Sequence, residues 1–321
     1  MPTPAPPIES PAASPAASPA PVRPKAPPGR IRIAHLGGIH VQDRRRAEYA
    51  AVFGRLYALL RAEAPDVIVV AGDVFDRRTR ASANSVSDVS GFLAALARIA
   101  PTALIAGKRG PGGPDLLALV LAEHRALQPP HLVCWRAPGA YCFRGVLWVV
   151  AAAGAPPPSG AVAAAARRAF TAAGQLAPGA PQVRLSHERV GGARCRSLVQ
   201  QSIGGGASGH GFLVWEFGPP GAEPSCRSVD VPNDRGFLRF EARATPGAPG
   251  GALLWASGRP LGRASTPAEA HDLVAAQPAL PAHPYYFEIT HEAGLHELTV
   301  ERLVGGLVAL YGFGPRAVRR S

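Results

Sequence analysis

This 321-residue sequence has few cysteines, few acids and no long apolar run. Its four cysteines, Cys134, Cys142, Cys195 and Cys226, contain no Cys-x-x-Cys pair, which argues against a disulfide frame and a zinc site and for thiols in a reducing compartment. The longest apolar stretch, VLWVVAAAGA at 146–155, is far short of the ~20 residues that cross a bilayer. The N-terminus has neither a basic n-region nor an apolar h-region, so no secretory signal is expected. The expectation is an intracellular protein, of nucleus or cytoplasm, without a membrane role. Acids are outnumbered, 22 Asp and Glu against 34 Lys and Arg, for a net charge of +12. That balance suits a polyanion such as DNA. Gly 36, Pro 35 and abundant Ala and Arg are also what a G+C-rich coding sequence yields, so codon bias is the competing account of the charge.

What is present is a globular composition, 47% hydrophobic and 17% charged, behind an unusual tail. Residues 1–30 are Pro/Ala/Ser-rich with a repeated PAAS unit, a composition that cannot bury enough apolar surface to offset ordering. This segment is expected to be disordered and partly polyproline II. From residue 31 the pattern alternates. Ile31–Leu36 and Val67–Ala71 are apolar runs, the second β-branched on both faces as in a buried parallel strand. Ala47–Arg61 sets Tyr49, Val52, Phe53, Leu56, Leu59 and Leu60 on one helical face, and a second helix is expected over Val86–Ile99 before a strand at Thr102–Ala106. The spacing predicts β-α-β-α-β with right-handed crossovers. A helix over Pro114–Arg125, a strand at Val146–Val150 and a helix over Ala161–Ala173 follow. Strands are then expected at Phe212–Phe217, Ser228–Val231, Phe237–Ala242, Leu253–Ala256 and Tyr285–Thr290, and a last helix near His296–Tyr311 that Gly305 and Gly306 weaken. An α/β half before a strand-rich half implies a layered α/β fold with two stacked sheets and a C-terminal appendage.

Ligands of an open parallel sheet sit beyond the carboxyl ends of its strands. The first three strands run into GGIH (Gly37–His40), GDVFD (Gly72–Asp76) and GKRG (Gly107–Gly110), so His40, Asp73, Lys108 and Arg109 are expected on one edge. Arg44, Arg45 and Arg46 follow His40, and Arg77, Arg78 and Arg80 follow Asp73. Both clusters would rim that edge, where Lys and Arg contact phosphate independently of sequence. Solvated helix starts are the plainer account. A Gly204-x-Gly206-x-x-Gly209 match to the dinucleotide fingerprint leads into a strand, not a helix, and carries nothing.

With these motifs the sequence resembles the calcineurin-like metallophosphoesterases, and within them the SbcD-type nucleases of DNA double-strand-break repair. That family carries Asp-x-His, Gly-Asp-x-x-Asp and Gly-Asn-His-Asp at successive strand ends, then two histidine motifs. Gly38-Ile39-His40 stands where Asp-x-His belongs, AGDVFD at 71–76 matches the second motif, and SLVQQSIGGGASGHGFLVWEF at 197–217 with PNDRGF at 232–237 is similar to the segment after the last histidine motif. The resemblance covers roughly residues 30–240. It implies an α/β/β/α metallophosphoesterase-like sandwich over residues 31–242, behind the tail at 1–30 and before an appendage at 243–321. It also implies DNA as partner, and a homodimer or an ATPase-type repair partner.

The departures fall on the metal ligands. The family's chemistry uses two divalent cations held by oxygen and imidazole donors. Gly38 replaces the aspartate, and Lys108, Arg109 and Gly110 replace the Asn-His-Asp. No histidine lies between His131 and His187, and SHER at 186–189 keeps His187 while placing Arg189 where the second histidine belongs. The residual ligands implied are His40, Asp73 and His187, with no catalytic residue assigned and no cofactor unless these still hold Mn²⁺. A strand-end carboxylate without cations is costly unless paired, and Lys108, Arg109 and Arg189 can supply that charge. A drifted, solvated loop would look the same in sequence. Three functions follow from these residues: a catalytically degenerate SbcD-like protein that binds DNA or a partner, a residually active metal-dependent nuclease or phosphoesterase, and a structural protein reusing the scaffold.

Overall fold

The computed structural model describes residues 23–24, 26, 29–76, 82–105, 120–121, 131–151, 156, 158–186, 189–190, 193–203, 209–219, 221–244, 251–256, 259–278 and 280–320. Strand β1 (Ile31–Leu36) leads through a 3-10 turn at Asp43–Arg45 into helix α1 (Arg46–Glu63). Then come β2 (Val67–Ala71), α2 (Ala83–Ile99) and β3 (Thr102–Ile105). These three strands pair in parallel in the order expected from the spacing. Helix α2 starts where Ser82 and Ser85 exchange side-chain and backbone hydrogen bonds, a capping box that settles two N–H groups with no partner inside the helix.

Next are β4 (Leu132–Trp135), β5 (Gly139–Phe143), β6 (Val146–Val150), α3 (Gly160–Ala172) and β7 (Gln182–Ser186). Short strands β8 (Arg189–Val190) and β9 (Ala193–Arg194) precede β10 (Gly211–Phe217) and β11 (Ser225–Asp230). Among the described residues the first sheet has six strands in the order β11-β10-β1-β2-β3-β4, and the second five in the order β5-β6-β7-β8-β9. The apolar run of β2 divides between two cores. Ile68 and Val70 pack with Leu56, Leu60, Phe92 and Leu96 of α1 and α2, while Val67, Val69 and Ala71 meet Trp148, Val150 and Val183 of the second sheet. Outside the second sheet, Leu147 and Leu176 pack against Ala166 and Phe170 of α3. The layers are therefore helix, sheet, sheet, helix, as the α/β/β/α expectation has it.

The remaining chain forms β12 (Arg235–Ala244), β13 (Ala252–Ala256), β14 (Arg259–Ala264), α4 (Pro267–Ala275), β15 (His283–His291), α5 (Glu297–Tyr311) and β16 (Ala317–Arg320). Its sheet order is β14-β13-β12-β15-β16. Helices α4 and α5 cover one face, with Val274 and Leu307 packed over Leu238, Phe240, Leu254, Phe287 and Ile289. The chain thus enters this third sheet at Arg235, inside the span 31–242. Helix α4 has no counterpart among the predicted elements. Gly305 and Gly306 do not interrupt α5, because Gly306 sits where the helix crosses α4: a Cβ there would lie 2.2 Å from the Pro267 carbonyl oxygen.

The four cysteines form no disulfide. No described helix is long and apolar enough to cross a membrane. The helix expected over 114–125 lies outside the described residues, apart from Val120 and Leu121.

Candidate functional site

Parallel pairing of β1, β2 and β3 brings their carboxyl ends to one edge, and the first two loops are laced together there. The His40 N–H donates to the Asp73 carbonyl at 2.9 Å and the Val41 N–H to the Val74 carbonyl at 2.9 Å. The Asp76 N–H returns a bond to the Val41 carbonyl at 3.3 Å. His40 and Asp73 thus become neighbours, although they stand 33 positions apart in sequence. Asp73 is buried and His40 half-buried.

Both residues have left-handed backbones, φ 51° at His40 and φ 40° at Asp73. The two other described non-glycine residues with positive φ have ordinary local reasons: Ala64 ends α1, and Arg144 precedes Gly145 in the turn between β5 and β6. Such a conformation costs about 1–3 kcal/mol per residue and persists where surrounding structure imposes it, commonly at functional sites. What imposes it here is a set of bonds to the first loop. The Tyr49 hydroxyl donates to the His40 carbonyl at 2.6 Å, and the Gln201 amide to the Ile39 carbonyl at 3.2 Å. Burial pushes the Tyr49 phenol well above its ordinary range, so it stays a donor.

Gly38 also has a left-handed backbone, φ 58°, and a Cβ there would touch the Ser197 Cβ at 3.4 Å. Glycine takes that conformation at no steric cost, whereas an aspartate would be strained. Beside Ser197 stands His210, buried at the start of β10, its Nδ1 3.1 Å from the Ser197 carbonyl oxygen. A carbonyl only accepts, so Nδ1 carries the proton. Antiparallel pairing of β10 with β1 brings His210 to the edge where β1 ends. The sequence reading passed over His210. Its signal was present, a histidine between glycines directly before an apolar strand, but nothing local pairs that strand with β1.

The expected rim divides. Arg44 is exposed, its Nε donating to the Gln42 side-chain oxygen at 3.0 Å. Arg46 is exposed and paired with Asp88 through bonds of 2.6 and 2.8 Å. Arg45 departs from the expectation of a phosphate-binding surface residue: it is buried and paired with Glu48. Arg77, Arg78 and Arg80 lie outside the described residues, as do Lys108, Arg109, Gly110 and His187. Arg189 is exposed, in β8.

Residues 31–107 match the family model described as calcineurin-like phosphoesterase. That match covers the β1-to-β3 unit with its first two loops, and supports the metallophosphoesterase superfamily for it. The chain is also similar to an uncharacterized protein of Acanthamoeba polyphaga mimivirus, 26% identical over 256 aligned residues that take in 64% of this chain. This chain spans only 18% of that relative's length.

The donor set can be compared with the superfamily's pair of divalent cations. Among the described residues no group of three or more His, Cys, Asp or Glu side chains is placed to hold a metal ion. His40 and Asp73 bring one imidazole and one carboxylate, and the glycine at 38 brings no donor. The described residues alone do not complete a two-cation centre.

Proposed function

We propose that this chain is an SbcD-type phosphoesterase homologue that has lost metal-dependent hydrolysis and binds DNA along its strand-end edge. The observation that carries the reading is Gly38: the position that resembles the family's aspartate ligand holds a glycine in a backbone conformation that suits glycine. The loops keep the family's scaffold, with His40 and Asp73 side by side, but lack the donors for two cations. Lys108 and Arg109 in the third loop repel a divalent ion and attract phosphate, which supports binding without turnover. Exposed Arg44 adds to the same edge.

A second reading, residual hydrolysis, is favoured by the left-handed backbones at His40 and Asp73, a strain that a merely decayed loop has no need to keep. The deciding experiment is hydrolysis of a DNA duplex and of a generic phosphodiester with added Mn²⁺, comparing wild type with Asp73→Ala. The expected result is no turnover by either, together with duplex binding that weakens as salt rises. Metal-dependent turnover by wild type alone would overturn the proposal and establish the second reading. Neither turnover nor duplex binding would leave the scaffold as a structural module.

A further inference from the structure

Among the described residues, α4 and α5 cover one face of the third sheet, and the other face is covered at its Phe237 end, where Arg45 lies over the buried Phe237 ring. Alternate residues of β12, β13 and β15 lie under α4 and α5, and pleating turns the intervening ones to the opposite face. On that face the register sets Arg239 beside Glu288, Glu241 between Trp255 and Thr290, and Arg243 beside Leu253. Two rings there are capped by guanidinium groups. Arg243 lies 4.3 Å from the centre of the Trp255 ring, and Arg316 lies 4.6 Å from the centre of Tyr286.

Charge on the face is unbalanced. Glu241 is paired with Arg243 at 2.8 Å, and Glu288 is shared between Arg239 at 3.6 Å and Arg319 at 3.9 Å. Arg263, in register with Leu253, and Arg316 add positive charge, so arginines outnumber the acids facing them. The side chains of Arg239, Arg243 and Arg319 keep 42%, 45% and 64% of their exposure. A second feature points to a ligand: the Trp255 indole N–H is buried and has no hydrogen-bond partner. An indole N–H shut off from water without an acceptor is a cost the isolated chain bears.

The geometry points to this face as a binding surface for single-stranded nucleic acid. Bases stack on Trp255 and Tyr286 in place of the guanidinium groups, and the released arginines take the phosphates. A ligand that lifts Arg243 also offers the indole N–H an acceptor. The chemistry selects among polyanions. A duplex keeps its bases stacked inside and offers no ring faces, and an acidic peptide offers charge without planar bases, whereas a single strand offers both. Trp255 and Tyr286 lie two strands apart and four residues out of register, a separation of about 16 Å from ordinary strand spacing and rise. That is too far for one base and suits a strand crossing β12. The inference does not rest on the phosphoesterase reading, since none of these residues belongs to the strand-end loops.

The test is fluorescence anisotropy of a labelled oligothymidine strand titrated with the full chain, against the matching duplex and with heparin as competitor. Single strand is expected to bind more tightly than duplex, with Trp255→Ala weakening it about 5-fold or more and Trp255→Phe retaining most of the affinity. Arg239→Glu with Arg319→Glu is expected to weaken binding and flatten its salt dependence. Circular dichroism and melting curves check that each variant folds. Should Trp255→Ala fail to fold, the exposed Arg319→Glu and the conservative Trp255→Phe carry the comparison. Binding unchanged in Trp255→Ala, preference for duplex, or loss confined to Arg44→Ala with Arg46→Ala would each place the nucleic acid elsewhere and overturn the inference. Hydrolysis is not read in this assay, so its outcome is independent of the Asp73→Ala experiment.

Discussion

The guanidinium of Arg45 and the carboxylate of Glu48 meet in a buried fork, Nε to Oε2 at 2.6 Å and Nη2 to Oε1 at 2.9 Å. The same carboxylate accepts from the Asn233 amide at 2.7 Å and the Tyr285 hydroxyl at 2.9 Å. Rings of Phe237 and Tyr285 lie 5.2 and 5.4 Å from the guanidinium carbon. One ion pair at the start of α1 therefore ties the first sheet's helical layer to the third sheet.

Removing one member of such a pair leaves the other charge buried without compensation, at about 3–5 kcal/mol. Glu48→Leu is expected to cost that much in chemical denaturation. Arg45→Leu with Glu48→Leu together should recover a large part, because no buried charge is then left over. A cost below about 1 kcal/mol for Glu48→Leu would show that the fork does not hold the two parts together.

His35, next to the last residue of β1, is fully buried, and neither ring nitrogen has a hydrogen-bond partner. Burial alone lowers its pKa from 6.5 to about 3. The unfolded chain therefore binds a proton that the folded chain refuses between those values, and stability is lost as pH falls below 6.5. At pH 5 the loss is about 2 kcal/mol relative to neutral pH. Melting wild type and His35→Leu at pH 7.5 and pH 5 measures it: the variant should lose less on acidification. Equal losses would mean that other groups set the acid limit.

Adjacent glycines of α5 should respond with opposite signs. A Cβ at Gly306 would lie 2.2 Å from the Pro267 oxygen and 2.9 Å from the Ala270 Cβ, so Gly306→Ala is expected to cost about 1–3 kcal/mol by pushing α5 off α4. At Gly305 the nearest such atom is the Pro267 Cγ at 4.0 Å, and Gly305→Ala is expected to gain up to about 1 kcal/mol from helix propensity. Thermal melts of the two variants decide it, and equal shifts would contradict the close crossing.

The start of α4 offers a smaller test. Thr266 accepts from the Glu269 N–H at 3.2 Å while the Glu269 carboxylate accepts from the Thr266 N–H at 3.2 Å. Thr266→Ala should cost about 1 kcal/mol. Unaltered stability would show that the cap is not needed once α5 covers the helix.

That cap also shows how much of the fold could be read locally. Thr266-Pro267-Ala268-Glu269 has the capping-box spacing with proline at the first helical position, so α4 was legible in sequence and was missed for want of a long apolar stripe. The β1-to-β3 unit was read nearly to its boundaries, because a strand buried on both faces needs a continuous apolar run and its helices need a one-sided one. The juxtaposition of His40 with Asp73 was legible too, since parallel strands must end on one edge. His210 and Arg45 were not. Arg44, Arg45 and Arg46 are alike in sequence, and Arg45 is drawn inward by Tyr285, whose bond to Glu48 spans 237 positions.

By itself the sequence determined the local periods, the turn and cap chemistry, and the absence of an aspartate at position 38, because backbone sterics and side-chain patterning act over a few residues. Only the tertiary structure decided that β10 lies antiparallel beside β1, that β12 opens a third sheet, that one arginine of three is buried, and that Trp255 and Tyr286 share a basic face. Those outcomes depend on which distant strand supplies hydrogen bonds and which distant acid offsets a buried charge, and neither is written in the residues nearby.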